Sequence, residues 1–187
     1  IKKAQVEAGD FVVVAGGGVM GMLHLRLAKR RGATVIVSEP DEGRRQRALG
    51  FGADHVLDPA EDDLVESVKE ITAGRGAQAI FDAVGKVPIL ESAIGALGKG
   101  GRLHVYARVY PKGEPITIDP NIFHDKEIVL TGTMSQSRED YVQAAEMIAR
   151  HAIDLQPLIS ETYPMAQIKE AFEASTRLEN YRIVVTM

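Results

Sequence analysis

The sequence predicts an α/β fold: a doubly wound parallel sheet of six strands in the order 3-2-1-4-5-6. Six short apolar runs alternate with helix-like segments, which is typical of a parallel sheet covered by helices on both faces. The first run leads into a glycine cluster and then into an amphipathic segment. Because crossovers between parallel strands are right-handed, this chain order favours the doubly wound arrangement.

The opening unit joins a strand, a tight turn and a helix. Phe11 begins a run of β-branched residues that predicts a strand over residues 11–15. Leu23 and Leu27 then recur at helical spacing, and Gly32 fits the C-terminal cap of that helix.

The later elements follow the same alternation. Further apolar runs predict strands at 34–38, 55–57, 79–84, 102–107 and 127–132. Capped or amphipathic segments predict helices at 41–49, 61–73, 88–97 and 137–150. Pro88 suits the first turn of one helix, and Ser137 with Asp140 resembles the capping box of another. We therefore expect a dinucleotide-binding sheet domain over residues 1–150. Residues 151–187 are expected to add a strand-helix-strand appendage.

Composition excludes several classes of partner. Hydrophobic residues make up 45% of the 187 and charged residues 26%, a balance ordinary for a globular domain. A net charge of −4 gives no general attraction to nucleic acid or to an anionic membrane. No apolar run approaches the roughly 20 residues of a spanning helix. With no Cys, the chain has no disulfide and no thiolate metal ligand, which fits a reduced, cytoplasmic setting.

The glycine cluster contains the pattern G-x-G-x-x-G at Gly16, Gly18 and Gly21. The first glycine permits a tight turn, the second lets a pyrophosphate approach the backbone, and the third lets the helix lie close to the strand. The N–H groups of Val19 and Met20 at the helix start would then face the anion. The pattern predicts an anion-binding turn.

Glu39 ends the second predicted strand, 39 − 21 = 18 residues after the last motif glycine. A carboxylate there can accept hydrogen bonds from both ribose hydroxyls of an adenosine and would repel a 2′-phosphate, which predicts NAD rather than NADP. The alternative is a helix-capping or solvated acid. We expect Arg44 to pack against the adenosine and Arg45 to lie on a solvated face.

The chain shows no catalytic constellation and no metal-binding spacing. Its five histidines are scattered through separate elements, and His24 borders an apolar helix stripe, where a structural role is favoured. Asp82 could act as a base, but a capping role is the better interpretation because no His or Lys is placed beside it. We therefore expect no catalytic residue in this chain.

Taken together, these residues resemble the zinc-dependent medium-chain alcohol dehydrogenases, closest to the sorbitol and threonine dehydrogenase-like branch. The resemblance is carried by Ala-Gly-Gly-Gly-Val-Met-Gly at 15–21 and by residues 32–39, 52–54, 81–85, 100–102 and 127–132. In the tail it is carried by residues 163–165 and 170–172. The resemblance implies a Rossmann fold that binds NAD.

The resemblance also implies a set of cofactor contacts. By motif, these are pyrophosphate contacts from Val19 and Met20, adenosine ribose contacts from Glu39 with Arg44, cleft lining by Ala83 and Val84, and nicotinamide contacts near Tyr106 and Thr133. Arg182 matches a basic position that reaches the pyrophosphate in the family, and a surface arginine on an edge strand is the alternative.

In the family, an N-terminal lobe holds the catalytic zinc through Cys, His and Glu ligands, and the tail packs against that lobe. We expect this chain to be the cofactor domain of such an enzyme, in which zinc polarises an alcohol or polyol oxygen while NAD accepts the hydride. Alone it should bind cofactor without turning over substrate. The alternatives are a stand-alone NAD-sensing or assembly module and a zinc-free quinone reductase that prefers NADP.

Family members commonly dimerise by pairing an edge strand of this domain. Residues 115–119, with Ile116 and Ile118 in alternation, are the expected edge strand, because an exposed edge offers unpaired backbone groups. The prediction is a homodimer or a higher oligomer formed through this stretch.

Overall fold

The computed structural model describes residues 1–187, which divide into two units, Ile1–Met134 and Ser135–Met187. The predicted division at residue 150 places the helix Arg138–Ala149 with the sheet, whereas in the structure this helix belongs to the second unit. No helix of either unit has both the length and the apolar character needed to cross a bilayer.

The first unit is a six-stranded parallel sheet in the predicted order 3-2-1-4-5-6. Its strands are β1 (Phe11–Ala15), β2 (Thr34–Ser38), β3 (His55–Leu57), β4 (Ala77–Asp82), β5 (Leu97–Val105) and β6 (Val129–Gly132). Its helices are α1 (Val19–Arg30), α2 (Glu42–Gly50), α3 (Leu64–Ile71), α4 (Val87–Ala96) and α5 (Asn121–Lys126). The predicted fold class is confirmed.

The core of this unit lies on the central strands. Val13, Ile36 and Ile80 are wholly buried side chains of adjacent strands, and Leu103 of β5 extends the same apolar layer. Branched apolar residues suit these strands because both faces of a parallel sheet are covered. Helix α2 begins after the predicted cap Asp41, whose carboxylate accepts a hydrogen bond from the first turn. Helix α3 begins at Leu64 and not at residue 61, and Asp63, which the sequence analysis did not name, caps it in the same way.

Three strands differ from their predicted bounds: β4 covers 77–82 and not 79–84, β5 covers 97–105 and not 102–107, and β6 begins at residue 129 and not 127. Strand β4 ends at Asp82 instead of continuing to residue 84, because the Asp82 carboxylate accepts hydrogen bonds from the N–H groups of Val84 and Gly85 and turns the chain there. Strand β5 begins at Leu97, five residues before the predicted start. The register of β5 against β4 shifts near its start, between the pairs formed by Ala77 and Ala79. This irregular stretch lacks the pattern of a regular strand, so the sequence suggests a loop.

The predicted edge strand at residues 115–119 is wrong. These residues form no strand, and the edge of the sheet on that side is β6. Ile116 and Ile118 are half-buried and pack against the core, while the Thr117 N–H donates to the Glu91 carboxylate on α4 at 2.7 Å. Their alternation therefore reflects packing on the first unit and not an open strand edge.

The second unit contains helix α6 (Arg138–Ala149), strand β7 (Ile159–Pro164), helix α7 (Ile168–Ser175) and strand β8 (Arg182–Thr186). Strands β7 and β8 pair in parallel, with α7 as the crossover, as the strand-helix-strand prediction requires. The Asn180 side chain donates to Glu161 on β7 at 2.7 Å and to the Ala174 carbonyl at 2.9 Å. Phe172 on α7 is 69% exposed, and Val184 is half-buried.

Candidate functional site

The predicted site residues of the first unit gather at the carboxyl edge of the sheet, where the strand order reverses between β1 and β4. Hydrogen bonds continue past the strand ends here: Gly16 N–H donates to the Ser38 carbonyl at 2.8 Å, and Ala83 N–H donates to the Ala15 carbonyl at 3.0 Å. Tyr106 N–H donates to the Asp82 carbonyl at 3.1 Å. The loops after four neighbouring strands are thus held at one edge, the position at which open α/β sheets bind ligands.

The three motif glycines differ in their surroundings. Gly16 has φ of +100°, in the left-handed region that favours glycine. A Cβ on Gly21 would lie 1.8 Å from the Gly16 carbonyl oxygen, so a side chain there would push α1 away from the turn. A Cβ on Gly18 would meet nothing within 4 Å. The backbone is therefore open at Gly18 and closely packed at Gly21.

The start of α1 presents a positive dipole end with no acidic residue in its own first turn. Gly18 is the N-cap and provides no side-chain cap, and the first turn, with Val19 and Met20, contains no acidic residue. The first N–H groups of a helix have no partner within the helix. This end of α1 can therefore donate hydrogen bonds to an anion that approaches over Gly18.

Glu39 follows β2 and turns its carboxylate into the glycine turn. The carboxylate accepts a hydrogen bond from the Gly17 N–H at 2.6 Å through Oε2 and one from the Asp41 N–H at 3.0 Å through Oε1. The residue is only 5% exposed, and a Cβ on Gly17 would lie 2.9 Å from Glu39 Cγ. The sequence analysis singled out Glu39 but not Gly17, which must be a glycine because Glu39 fills the space beside it.

The two arginines that follow Glu39 differ in their surroundings. Arg44 is half-buried in the first turn of α2, where its N–H donates to the Asp41 carboxylate. Arg45 was expected on a solvated face, and this is wrong. Its side chain is 17% exposed, pairs with Asp58 at 2.9 Å, and donates to the carbonyl oxygens of Glu39 and Pro40. The signal that could have found the pairing was Asp58 directly after the third predicted strand.

Asp82 shapes the loop that carries Ala83 and Val84. It is fully buried, and its Oδ1 accepts hydrogen bonds at 3.0 Å from the N–H groups of Val84 and Gly85. This is the capping role that the sequence analysis favoured over a catalytic base. Val84 is 37% exposed, and its Cγ2 lies 2.8 Å from the position a Cβ would take on Gly16. The Asp82 turn thus places Val84 against the glycine turn.

A row of rings lies on α1 and the ends of β4 and β5. The His24 ring stacks on Phe81 with centroids 4.5 Å apart and meets Tyr106 edge-on at 5.1 Å. Phe81 also contacts the His104 ring, whose Nε2 lies 2.8 Å from the Thr133 hydroxyl. Tyr106 and Thr133, both assigned to the nicotinamide end, are therefore tied to the same aromatic row.

Burial changes the titration of both histidines in this row. Desolvation lowers the pKa of His24 to about 4, and it also lowers the pKa of His104. Near neutral pH both rings are uncharged. The row is therefore an apolar wall and not a source of positive charge.

Arg182 is the one predicted site residue that lies in the second unit, and no part of the chain gathers metal ligands. Arg182 is exposed and begins β8 of the second unit. Nowhere in residues 1–187 do three or more His, Cys, Asp or Glu side chains lie close enough together to hold a metal ion. The residues of this chain therefore do not form a zinc site.

Comparison with known proteins identifies relatives about twice as long. The model of the zinc-binding dehydrogenase family matches residues 19–150. A 2-dehydro-3-deoxy-L-galactonate 5-dehydrogenase from Pseudoalteromonas atlantica is 35% identical over 172 residues, covering 92% of this chain and 49% of the relative. A sorbitol dehydrogenase from Halalkalibacterium halodurans is 31% identical over 189 residues, covering 100% of this chain and 54% of the relative. The chain spans about half the length of these curated relatives.

The structure is also similar to that of a zinc-binding dehydrogenase from Sinorhizobium meliloti bound to NADP. The TM-score is 0.87 at 24% identity, with 100% of this chain and 55% of that chain covered, and at this identity the similarity shows the fold alone. The family model spans α1 to the end of α6 and so includes most of the sheet. The chain therefore belongs to the zinc-binding dehydrogenase family.

Proposed function

We propose that the first unit binds NAD(H) at the carboxyl edge of its sheet. One observation carries the proposal: the Glu39 carboxylate lies 2.6 Å from the Gly17 N–H, inside the glycine turn that leads to the open Gly18 backbone. An acceptor for ribose hydroxyls and a donor site for a pyrophosphate are thus adjacent. This juxtaposition is what one end of a dinucleotide requires.

Each part of the cofactor has residues of this chain to contact. The Val19 and Met20 N–H groups would donate to the pyrophosphate. An ionised carboxylate has about four acceptor positions, of which Glu39 uses two on Gly17 and Asp41. The others would accept the ribose hydroxyls. Arg44, half-buried at the start of α2, would pack beside the adenosine.

The other end of the cofactor would lie along the ring row. Ala83 and Val84 would line the cleft, and Tyr106 and Thr133 would lie near the nicotinamide. A nicotinamide held there would supply the hydride-accepting chemistry of an alcohol oxidation. The uncharged wall of His24 and Phe81 would exclude water from that end.

For the whole protein, we propose a dehydrogenase of secondary alcohols or polyols, since the curated relatives are named for such oxidations. The cytoplasmic setting is part of the same proposal and is supported by the cysteine-free sequence. The zinc of this family would be held by residues outside the 187 described here, because these contain no suitable cluster. The contribution of this chain is to bind and orient the cofactor.

A second candidate is NADP, because the similar structure from Sinorhizobium meliloti holds it. Glu39 opposes this alternative, since its carboxylate stands where a 2′-phosphate would have to lie. Comparing NADH and NADPH binding by fluorescence titration separates the two. Tighter binding of NADPH would contradict the assignment of NAD.

The test of the binding site is Gly18→Ala. The added methyl meets no protein atom within 4 Å but occupies the open side of the turn, so folding should be unchanged while the pyrophosphate is kept away. We expect NADH affinity to fall by about tenfold or more, the effect of losing hydrogen bonds to a charged group. Titration with NADH and thermal unfolding measure the two effects.

Gly50→Ala is the matched control. A Cβ on Gly50, at the end of α2, also meets nothing within 4 Å, and the residue lies outside the glycine turn. Its NADH affinity should equal that of the unaltered chain. Equal affinities in all three proteins would show that the dinucleotide does not bind over Gly18.

A further inference from the structure

We propose that Arg45 and Asp58 are positioning residues that hold Glu39 for the ribose and thereby set the preference for NADH over NADPH. The inference rests on the proposed function and concerns the same site. It adds two residues to the cofactor-binding site, neither of which is placed in contact with the cofactor.

The Glu39 carboxylate can discriminate between ribose and its 2′-phosphate only if its position is fixed. Its two oxygens are held by the Gly17 and Asp41 N–H groups, and both bonds depend on the path of the chain from Glu39 to Asp41. Because a glutamate side chain has several rotatable bonds, this turn must itself be held for the carboxylate to stay in place.

Arg45 holds the turn from Glu39 to Asp41 by hydrogen bonds to its backbone carbonyls. Its Nη1 donates to the Glu39 carbonyl at 2.8 Å and to the Pro40 carbonyl at 2.7 Å. The same nitrogen lies 2.9 Å from Asp58 Oδ2, and the two side chains are only 17% and 24% exposed. The Arg45 guanidinium thus links two consecutive carbonyls of the turn to the carboxylate of Asp58, which directly follows β3.

Asp58 is itself fixed, so it can serve as the anchor. Its Oδ1 accepts from the Ala60 N–H at 3.0 Å, and its own N–H donates to Asp62 at 2.7 Å. The Glu39 N–H donates to the Leu57 carbonyl at 3.0 Å, directly before Asp58. The pair therefore locks the end of β2 to the end of β3.

The pairing has two consequences for cofactor choice. It orients the Glu39 carboxylate toward the glycine turn, which favours a ribose hydroxyl. It also engages the positive charge of Arg45 with Asp58, so that this arginine is not offered to a 2′-phosphate. Both effects favour NADH over NADPH.

Two substitutions separate these effects. Arg45→Met removes the guanidinium but keeps an apolar stem, and NADH affinity should fall about tenfold while NADPH affinity changes little. Asp58→Asn keeps the Oδ1 acceptor for Ala60 but frees the arginine, and NADPH affinity should rise severalfold. In both variants the ratio of the NADPH to the NADH dissociation constant should fall.

Lys29→Met is the matched control. Lys29 pairs with Asp54 at 2.7 Å with comparable exposure, 32% and 36%, and also joins a helix to the start of β3. It makes no contact with the Glu39 turn, so its loss should leave the NADPH to NADH ratio unchanged even if stability falls. Fluorescence titrations with both dinucleotides measure the ratio, and far-ultraviolet circular dichroism checks folding.

The outcomes distinguish the two proposals. Unaltered protein that binds neither dinucleotide would overturn the proposed function and this inference with it. Unaltered protein that prefers NADH, with an unchanged ratio in Arg45→Met and Asp58→Asn, would overturn only the role of the pair. An equal fall in both affinities would show general damage to the fold and would also overturn it.

Discussion

His24 shows how strongly one residue of the ring row depends on its surroundings. The imidazole is 8% exposed, stacks on Phe81, and donates a hydrogen bond from Nδ1–H to the Met20 carbonyl at 2.7 Å. Desolvation by burial lowers its pKa to about 4, against 6.5 for an ordinary histidine. The folded chain therefore holds this ring uncharged.

This burial predicts a pH dependence of stability. Between about pH 6.5 and pH 4 the unfolded chain binds a proton at His24 that the folded chain does not, so the free energy of unfolding falls as the pH is lowered. From pH 7 to pH 5 we expect a loss of about 2 kcal/mol from this group. Urea unfolding of the unaltered chain and of His24→Gln at the two pH values measures it.

His55→Gln serves as the control, because His55 is exposed on β3. It should retain the full dependence, while His24→Gln retains only the part due to His104, whose pKa is also lowered. Parallel stability curves for the unaltered chain and His24→Gln would contradict the assignment.

For single residues, the sequence predicts a role when that role depends on neighbouring positions in the chain. Gly16, Gly18, Gly21 and Glu39 follow from a motif and a spacing, and all lie at the predicted edge. For Arg45 the only signal was Asp58, directly after the third predicted strand, and the pairing itself depends on how β2 and β3 meet. Residues that act through distant partners require the fold first.

At the scale of elements, the close contact between β1 and α1 depends on Gly21, which has no side chain. A Cβ on Gly21 would lie 1.8 Å from the Gly16 carbonyl oxygen and 3.3 Å from Val14 Cγ1. The clash is with backbone, so it can be relieved only by moving the helix or the turn. Gly21 thus sets the distance between the first strand and its helix.

Gly21→Ala should therefore destabilise the chain by about 3 kcal/mol or more, despite the roughly 1 kcal/mol that alanine contributes within a helix. Gly50→Ala adds the same methyl in α2 without a clash and should be neutral or slightly stabilising. Urea unfolding of both variants is the measurement. A Gly21→Ala chain as stable as the Gly50→Ala chain would show that α1 does not pack closely on the turn.

The elements themselves are largely predictable because a buried parallel strand and a capped helix each leave a local pattern. Strands β1 to β3 agree with the expected ranges, and the Asp41 and Ser137 caps begin helices as expected. The wrong predictions arise where tertiary packing, and not local structure, determines the pattern of apolar residues or the regularity of a strand. Ile116 and Ile118 alternate like a strand but pack on the core, and the start of β5 is disguised by a register shift.

On the scale of the whole molecule, the first unit contains the proposed cofactor edge, and the second unit contains a parallel strand pair joined by a helix. Two titratable groups at the edge are buried: Asp82 is fully buried under its own turn, and His24 is 8% exposed. Residues 1–187 also bring no metal-ligand cluster together. The proposed role of residues 1–187 is accordingly limited to binding and orienting the cofactor.

This predicts cofactor binding without turnover. The 187-residue chain, supplied with NAD, zinc and a panel of alcohols and polyols that includes sorbitol, should produce no NADH above the rate without protein. Absorbance at 340 nm provides the measurement, and retained NADH binding in the same preparation shows that the chain is folded. Alcohol-dependent NADH production would mean that these residues contain a catalytic site that neither the motifs nor the geometry reveal.

The hydrogen bond between Gly17 and Glu39 also makes the glycine turn observable without any ligand. Glycine amides in open loops exchange their hydrogens with solvent rapidly, because nothing holds the N–H in place. The Gly17 amide is an exception, since it donates at 2.6 Å to a carboxylate that is almost wholly buried. The rate of deuterium uptake at the Gly17 amide therefore reports whether the Glu39 carboxylate accepts this hydrogen bond in the absence of cofactor.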